Sequence, residues 1–207
     1  MSILGDIGTK IGTELKSLID RVAVLETTVP APVGGVTAST VTWTNLSSNV
    51  QTYAGGGLYK ISGSGGYNAG ASTVESIDGN EDGYFQFQIA HTNHGAKIGV
   101  VYSDPDYAVN APHYMDFTSG FIRFVQPWQS NHTAFVAGDW FRIKHYSADN
   151  EILFQKRIEI FDSGGASLGE DYVTFYTHPT PTNGSDLYLD SSFHYVGAGI
   201  NDVQIAT

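Results

Sequence analysis

The chain has 207 residues, with 10 Lys and Arg against 21 Asp and Glu, so its formal net charge at pH 7 is −11. A chain this acidic, with no basic patch in its sequence, repels phosphate backbones and anionic membrane surfaces, and we expect no nucleic-acid partner. The absence of cysteine excludes disulfides, thiolate zinc sites and cysteine nucleophiles. No apolar run approaches the roughly 18 residues needed to cross a bilayer, so we expect no membrane insertion.

The N-terminal segment, residues 1–28, carries a heptad pattern. Two interpretations stay open: an amphipathic helix packed on its own domain, or a parallel coiled coil that joins several chains. Two or three heptads are too few for a helix that is stable alone in water. The apolar positions, spaced 4, 3, 4 and 3 residues apart, are Ile11, Leu15, Leu18, Val22 and Leu25.

A spacer, residues 29–40, follows the heptads. It contains Pro30, Pro32, Gly34 and Gly35, which end a helix and separate it from what comes next. A helix held away from its own domain has lost its nearest intramolecular partner. The spacer therefore favours the coiled coil between chains, as a homotrimer rather than a dimer.

From residue 41 to residue 207 the apolar pattern changes to period two, which is typical of β-strands. About ten short runs alternate between apolar or aromatic and polar residues, and Gly, Asn, Asp and Ser separate them. A turn at residues 147–150 predicts a hairpin between two of the runs. Many short strands without a second helix predict a mainly β fold, an antiparallel β-sandwich or jelly roll. The predicted strands are residues 41–44, 58–62, 84–89, 97–102, 121–125, 139–146, 151–160, 171–176, 186–190 and 200–205.

An ordered series of short motifs within this region resembles a known family. A strand with Lys60 precedes a Gly-Gly-aromatic-Asn-Ala-Gly-Ala segment, residues 65–71, and a Gly-aromatic hairpin leads into an aromatic strand at residues 82–87. Residues 97–100, 138–143, 187–193 and 197–203 continue the series. Over residues 41–205 the chain resembles the concanavalin A-like lectin and glucanase jelly rolls found in bacteriophage fibres and other surface-binding proteins. Two segments depart from the pattern: the hairpin at residues 146–154 and a long aromatic-rich stretch at residues 104–135.

The resemblance implies a fibre or receptor-binding protein exposed on a virion, in a tail or head fibre, that attaches the particle to host cell-surface glycans. Many such proteins also consist of a short coiled coil, a spacer and a β-domain at the tip. The helix would then join three chains or contact other virion proteins. The alternative is a structural virion component, a capsid decoration or fibre segment, that binds no glycan. A hydrolase of the same fold is a third hypothesis.

The long stretch holds the candidate glycan-binding residues. Aromatic faces stack on sugar C–H groups, and acids and amides hydrogen-bond to sugar hydroxyls. The competing interpretation is that the aromatic residues belong to the core and the acids are merely solvated. The candidate residues are Asp104, Asp106, Tyr107, His113, Tyr114, Trp128 and His132.

Other patterns predict little chemistry. Residues 78–83 match the start of a calcium loop, but the twelfth position is Ile89 instead of Glu, which favours a glycine-rich hairpin. The histidine spacing gives no recognisable ligand set, so we expect no metal and no cofactor. No strand carries the alternating acids of a glucanase, and Glu159 and Asp162, three apart, fall on opposite strand faces. The sequence therefore predicts a protein that is not an enzyme.

Overall fold

The computed structural model describes residues 37–102, 113–125, 128–162, 164–178 and 184–207, which belong to one compact unit, Thr37–Thr207. The predicted N-terminal helix, its five heptad residues and spacer residues 29–36 lie outside the described residues. No helix in the described ranges is long and apolar enough to cross a membrane. The strands within these ranges are β1 (Ser39–Thr40), β2 (Trp43–Thr44), β3 (Val50–Tyr53), β4 (Gly57–Lys60), β5 (Ala69–Ile77), β6 (Gly83–Ile89), β7 (Ala96–Val101), β8 (His113–Thr118), β9 (Phe121–Val125), β10 (Trp128–Ala134), β11 (Trp140–Tyr146), β12 (Glu151–Phe161), β13 (Ser167–His178), β14 (Leu187–Phe193) and β15 (Gly199–Ala206).

The strands form two antiparallel sheets, which confirms the predicted sandwich. In the described part of the chain, one sheet has eight strands in the order β13-β12-β11-β6-β15-β4-β3, with β1 paired to β15. The other has seven strands in the order β10-β9-β8-β7-β14-β5-β2. Strands distant in sequence are neighbours in both sheets, so the register between them decides which side chains meet.

The core lies between the sheets and follows from the alternation of the strands. In β6, Phe85, Phe87 and Ile89 are buried while the intervening residues are half-buried. β11 repeats the pattern, with Phe141 and Ile143 inward. Apolar side chains on alternate positions of both sheets thus form one cluster of buried aromatic and aliphatic residues.

The predicted hairpin at residues 147–150 is confirmed. β11 and β12 pair antiparallel from Tyr146 and Glu151 to Phe141 and Lys156. Asn150 adopts a φ of 53°, a conformation that asparagine tolerates better than most residues. This turn was therefore predictable from its sequence.

The described part of the long stretch at residues 104–135 is largely strand, although the sequence predicted only the strand at residues 121–125. It contributes β8, β9 and β10, which form one side of the seven-stranded sheet. The sequence also gave no sign of β3 and β5. The sandwich begins at Ser39, whose backbone pairs with Ile205, shortly before the predicted domain start at residue 41.

Candidate functional site

A row of polar side chains crosses the outer face of the seven-stranded sheet, the face turned away from the eight-stranded sheet. Strand register places Ser192 of β14 opposite Lys97 of β7, Lys97 opposite Asp116 of β8, and Asp116 opposite Arg123 of β9. The neighbouring positions in β7, Ala96 and Ile98, are fully buried in the core, so Lys97 projects outward. Two cations therefore flank one carboxylate in a single row.

Tyr67 reaches this row from the loop between β4 and β5. Its hydroxyl donates a hydrogen bond to Asp116 Oδ1 over 2.9 Å, and Thr118 donates to the same oxygen over 2.7 Å. The ring of Tyr67 packs edge-on against His194, with centroids 4.9 Å apart. Burial and the Asp116 charge raise the pKa of Tyr67, so the phenol remains a donor at neutral pH.

Lys60 holds the loop that carries Tyr67. Its side chain is 1% exposed, and its ammonium donates to the carbonyl oxygens of Ser64 and Gly66 and to Oδ1 of Asn68. The same ammonium donates to the carbonyl of His194 over 2.9 Å. Burial lowers the pKa of Lys60. One buried cation thus joins this loop to the end of β14 and positions Tyr67 over the sheet.

Two tyrosine rings contact the Lys97 ammonium. Its Nζ lies 4.3 Å from the ring centroid of Tyr67 and 5.1 Å from that of Tyr114, both within cation–π range. Burial and the Asp116 charge raise the pKa of Tyr114 as well. Tyr67, Lys97, Tyr114 and Asp116 are called the tyrosine–lysine site below. It offers aromatic faces, a cation and a carboxylate on one sheet surface.

The predicted glycan-binding residues lie in different environments in the structure. Tyr114 belongs to the tyrosine–lysine site. His113 is 2% exposed: its Nε2 lies 2.8 Å from the Tyr102 hydroxyl and its ring centroid 4.1 Å from that of His178. It is an interior residue because it lies on the core face of β8, one position before Tyr114 on the outer face. A ligand on the outer surface of the sheet therefore does not reach the buried His113 side chain.

The other predicted residues are described in part or not at all. Asp104, Asp106 and Tyr107 lie outside the described residues, in the segment that joins β7 to β8. Trp128 and His132 fall in β10, where Trp128 pairs with Val125.

Sequence reasoning missed Tyr67, Lys97 and Asp116 as site residues. Tyr67 and Lys97 stand within the motifs that carry the family resemblance, but nothing in those motifs shows that they meet. Asp116 occupies an ordinary alternating position of β8. Their shared face depends on strand register, which the chain order alone does not provide.

The calcium-like segment is a turn between β5 and β6, which lie in different sheets, so the expected glycine-rich hairpin is wrong. Asp78 Oδ1 accepts from the backbone N–H of Asn80, and Asp82 accepts from the N–H and hydroxyl of Ser147. Burial raises the pKa of Asp82, but the Ser147 hydrogen bonds and the nearby Lys144 and His145 outweigh it and hold that pKa below its usual value. Among the described residues no group of three His, Asp or Glu side chains is arranged to hold a metal ion.

The outer face of the eight-stranded sheet also carries cations, and its two arginines have partners. The Arg142 guanidinium carbon lies 3.9 Å from the ring centroid of Tyr84 and 3.7 Å from that of Tyr172. The guanidinium also donates a hydrogen bond to Gln86 Oε1. Arg157 is ion-paired with Glu170 over 3.2 Å. These contacts stabilise β-strand pairing and leave the tyrosine–lysine site as the better candidate for a ligand.

Fold and site together define a two-sheet antiparallel β-sandwich with a polar, aromatic surface on one sheet. No protein-family model matches the chain, and no curated protein matches it either. Among solved structures it is similar to the carbohydrate recognition domain of Emp46p, with 8% identity over 79% of this chain and 87% of that one and a TM-score of 0.50. It is also similar to the PSpry domain of TRIM65, with 11% identity, 81% and 91% coverage and a TM-score of 0.49. A winged bean acidic lectin, complexed with methyl-alpha-D-galactose, has 11% identity, 83% and 92% coverage and a TM-score of 0.40.

The likeness to the Emp46p domain supports the fold. At 8% identity this likeness bears on the architecture of the chain and leaves its ligand to be argued from its own residues.

Proposed function

We propose that the β-sandwich binds glycans through the tyrosine–lysine site. The observation that carries this proposal is that the rings of Tyr67 and Tyr114 both lie within cation–π distance of the Lys97 ammonium, with Asp116 opposite Lys97 on the next strand. Aromatic rings that stack on sugars, next to a few charged groups that bind hydroxyls, are the usual elements of a carbohydrate site. Asp104, Asp106 and Tyr107, which lie outside the described residues in the chain between β7 and β8, stay candidates for the same site.

We further propose that the protein is a phage fibre or receptor-binding protein on the virion surface, with a trimer formed by the N-terminal heptads. The family resemblance, the heptad pattern and the Pro/Gly spacer support this. Three copies of a weak site raise the overall avidity for a glycan-coated cell without any new contact.

The proposed activity is binding, without catalysis. Hydrolysis of a glycosidic bond generally uses two carboxyl groups on either side of the bond. The described residues of the tyrosine–lysine site include one carboxylate, Asp116, and both hydrogen bonds described above reach its Oδ1.

A contact with other virion proteins is a second candidate role, favoured by the β12–β13 hairpin. Its distal half exposes large apolar side chains: Ile158, Phe161, Leu168 and Val173 are between 41% and 68% exposed. An exposed apolar group of this kind is typical of protein contact surfaces. If the protein captures no glycan, this role becomes the leading hypothesis.

Tyr114→Ala is expected to lower the affinity for the glycan about fivefold, since one stacked ring contributes on the order of 1 kcal/mol. The measurement is a glycan-array screen of the full-length chain followed by titration of the best ligand. Tyr114→Phe should keep most of the affinity because the ring remains. Tyr53→Ala is the matched control, since Tyr53 is 50% exposed and lies in β3 of the other sheet. Unchanged binding by Tyr114→Ala, or an equal loss for both alanine variants, would contradict the proposed site.

The full-length chain is expected to have three times the monomer mass by light scattering. Replacing Leu18 and Leu25 with Glu places charges in the apolar seam and should give a monomer. Thermal unfolding of the β-sandwich should be unchanged in this variant. A wild-type monomer, or a double variant that remains trimeric, would show that the heptads do not hold the chains together.

A further inference from the structure

The ammonium of Lys97 contacts aromatic rings on the outer face of the seven-stranded sheet. Within the described residues no hydrogen bond or ion pair engages its ammonium, and its neighbours are the rings of Tyr67 and Tyr114. By contrast, Lys60 is enclosed by oxygen atoms, and Lys156 is ion-paired with Asp139 over 2.7 Å. The ammonium of Lys97 thus keeps its donors for a ligand.

Asp116 does not neutralise this ammonium by a direct contact. Its Oδ1 accepts from Tyr67 and Thr118, and the cross-strand neighbour on its far side is Arg123. Counting Lys97 and Arg123 against Asp116, the row carries a formal charge of +1 in a chain whose net charge is −11. A lysine cation beside two aromatic rings suits a ligand that combines a sugar ring with a negative charge.

We propose that the tyrosine–lysine site selects acidic sugars, with a single carboxylate of the glycan bound at the Lys97 ammonium and the sugar ring against Tyr114. A charge-assisted hydrogen bond is stronger than one between neutral groups, and the two rings limit the screening of this one by water. The overall charge of −11 disfavours densely charged polyanions, so the ligand carries isolated carboxylates on otherwise neutral oligosaccharides. This inference rests on the proposed glycan-binding function and adds the chemical class of the ligand.

The test compares matched pairs of oligosaccharides on the full-length protein. One pair ends in glucuronate or in glucose, and the other is sialyllactose and lactose, so the two sources of a sugar carboxylate are distinguished. We expect at least one acidic member to bind about ten times more tightly than its neutral counterpart, as one charge-assisted contact implies. Equal affinities within both pairs would overturn the acidic preference and leave glycan binding intact. If no oligosaccharide binds at all, the proposed function fails as well.

Variants at Lys97 test whether its positive charge causes the preference for acidic sugars. Lys97→Met keeps the length of the side chain and should bring acidic and neutral members to the same affinity, while Lys97→Arg should retain most of the preference. Lys144→Met is the matched control, because Lys144 lies on the outer face of the other sheet. A preference that persists in Lys97→Met would overturn the assignment, and thermal unfolding of each variant shows whether the fold is retained. The comparison of wild-type affinities does not depend on any variant.

Discussion

Replacing Lys60 with Met is expected to lower the free energy of unfolding by about 3–5 kcal/mol, although the change conserves side-chain length. The ammonium donates to the carbonyls of Ser64, Gly66 and His194, each within 3.0 Å, and to Asn68 Oδ1 over 2.7 Å. Methionine satisfies none of these oxygens. Oxygen atoms that remain buried in the variant then lack a hydrogen-bond donor. Each buried acceptor without a donor costs roughly 1–3 kcal/mol.

The measurement is urea unfolding of the wild type and the variant, followed by fluorescence or circular dichroism. Lys156→Met is the control: Lys156 is 22% exposed and ion-paired with Asp139, and a surface pair contributes about 0–1 kcal/mol. Glycan binding should also fall in Lys60→Met, because the loop that carries Tyr67 loses its attachment to the end of β14. A loss of stability no larger than that of the control would show that the Lys60 ammonium does not hold this loop.

Acid is expected to destabilise the protein between pH 6.5 and pH 4, before most carboxylates are protonated. Burial, with the nearby His94, lowers the pKa of His91 to about 4. Burial, with the nearby His178, lowers the pKa of His113 to about 4. Both histidines are therefore neutral in the folded protein over a range in which the unfolded chain, with a usual pKa of about 6.5, binds protons.

The sign follows from proton counting. Because the unfolded state binds more protons between pH 6.5 and pH 4, lowering the pH through this range favours unfolding. A shift of this size corresponds to about 3 kcal/mol for each histidine when the whole range is crossed. Below pH 4 both states are protonated at these positions, and the histidine contribution becomes constant.

Urea unfolding at pH 7, 5.5 and 4 measures the effect. His91→Gln and His113→Gln should each lower stability at pH 7 and reduce the loss between pH 6.5 and pH 4. Asp82→Asn is the comparison: the pKa of Asp82 lies below its usual 3.8, so its contribution is present at higher pH and is lost only as the pH falls through that lowered value. Stability that is flat from pH 7 to pH 4 would contradict the assignment of two buried neutral histidines.

The architecture was largely predictable because alternation is a local property. Strands such as β6 and β11 alternate buried and half-buried residues along their whole length, and this pattern identifies a sheet packed on one side. The turn before Glu151 was readable from its Asp-Asn pair. The motif around Lys60 was also visible, although its physical reason, a buried ammonium that holds the following loop, was not.

β5 escaped prediction because its residues are small. Its first five residues are buried, but Ala69, Gly70 and Ala71 show no contrast between apolar and polar positions. A Cβ at Gly70 would collide with the carbonyl oxygen of Ser191, so the close approach of β5 to β14 requires glycine there. That reason exists only once the two strands are side by side.

The sequence by itself determined the fold class, the hairpin between β11 and β12, and the net charge of −11. Only the tertiary structure decided which side chains form a site. Tyr67, Lys97 and Asp116 come from a loop and two strands, and a shift of one residue in strand register would turn Lys97 into the core. The same register places His113 inside and Tyr114 outside, although the two are adjacent in sequence and were predicted to act together.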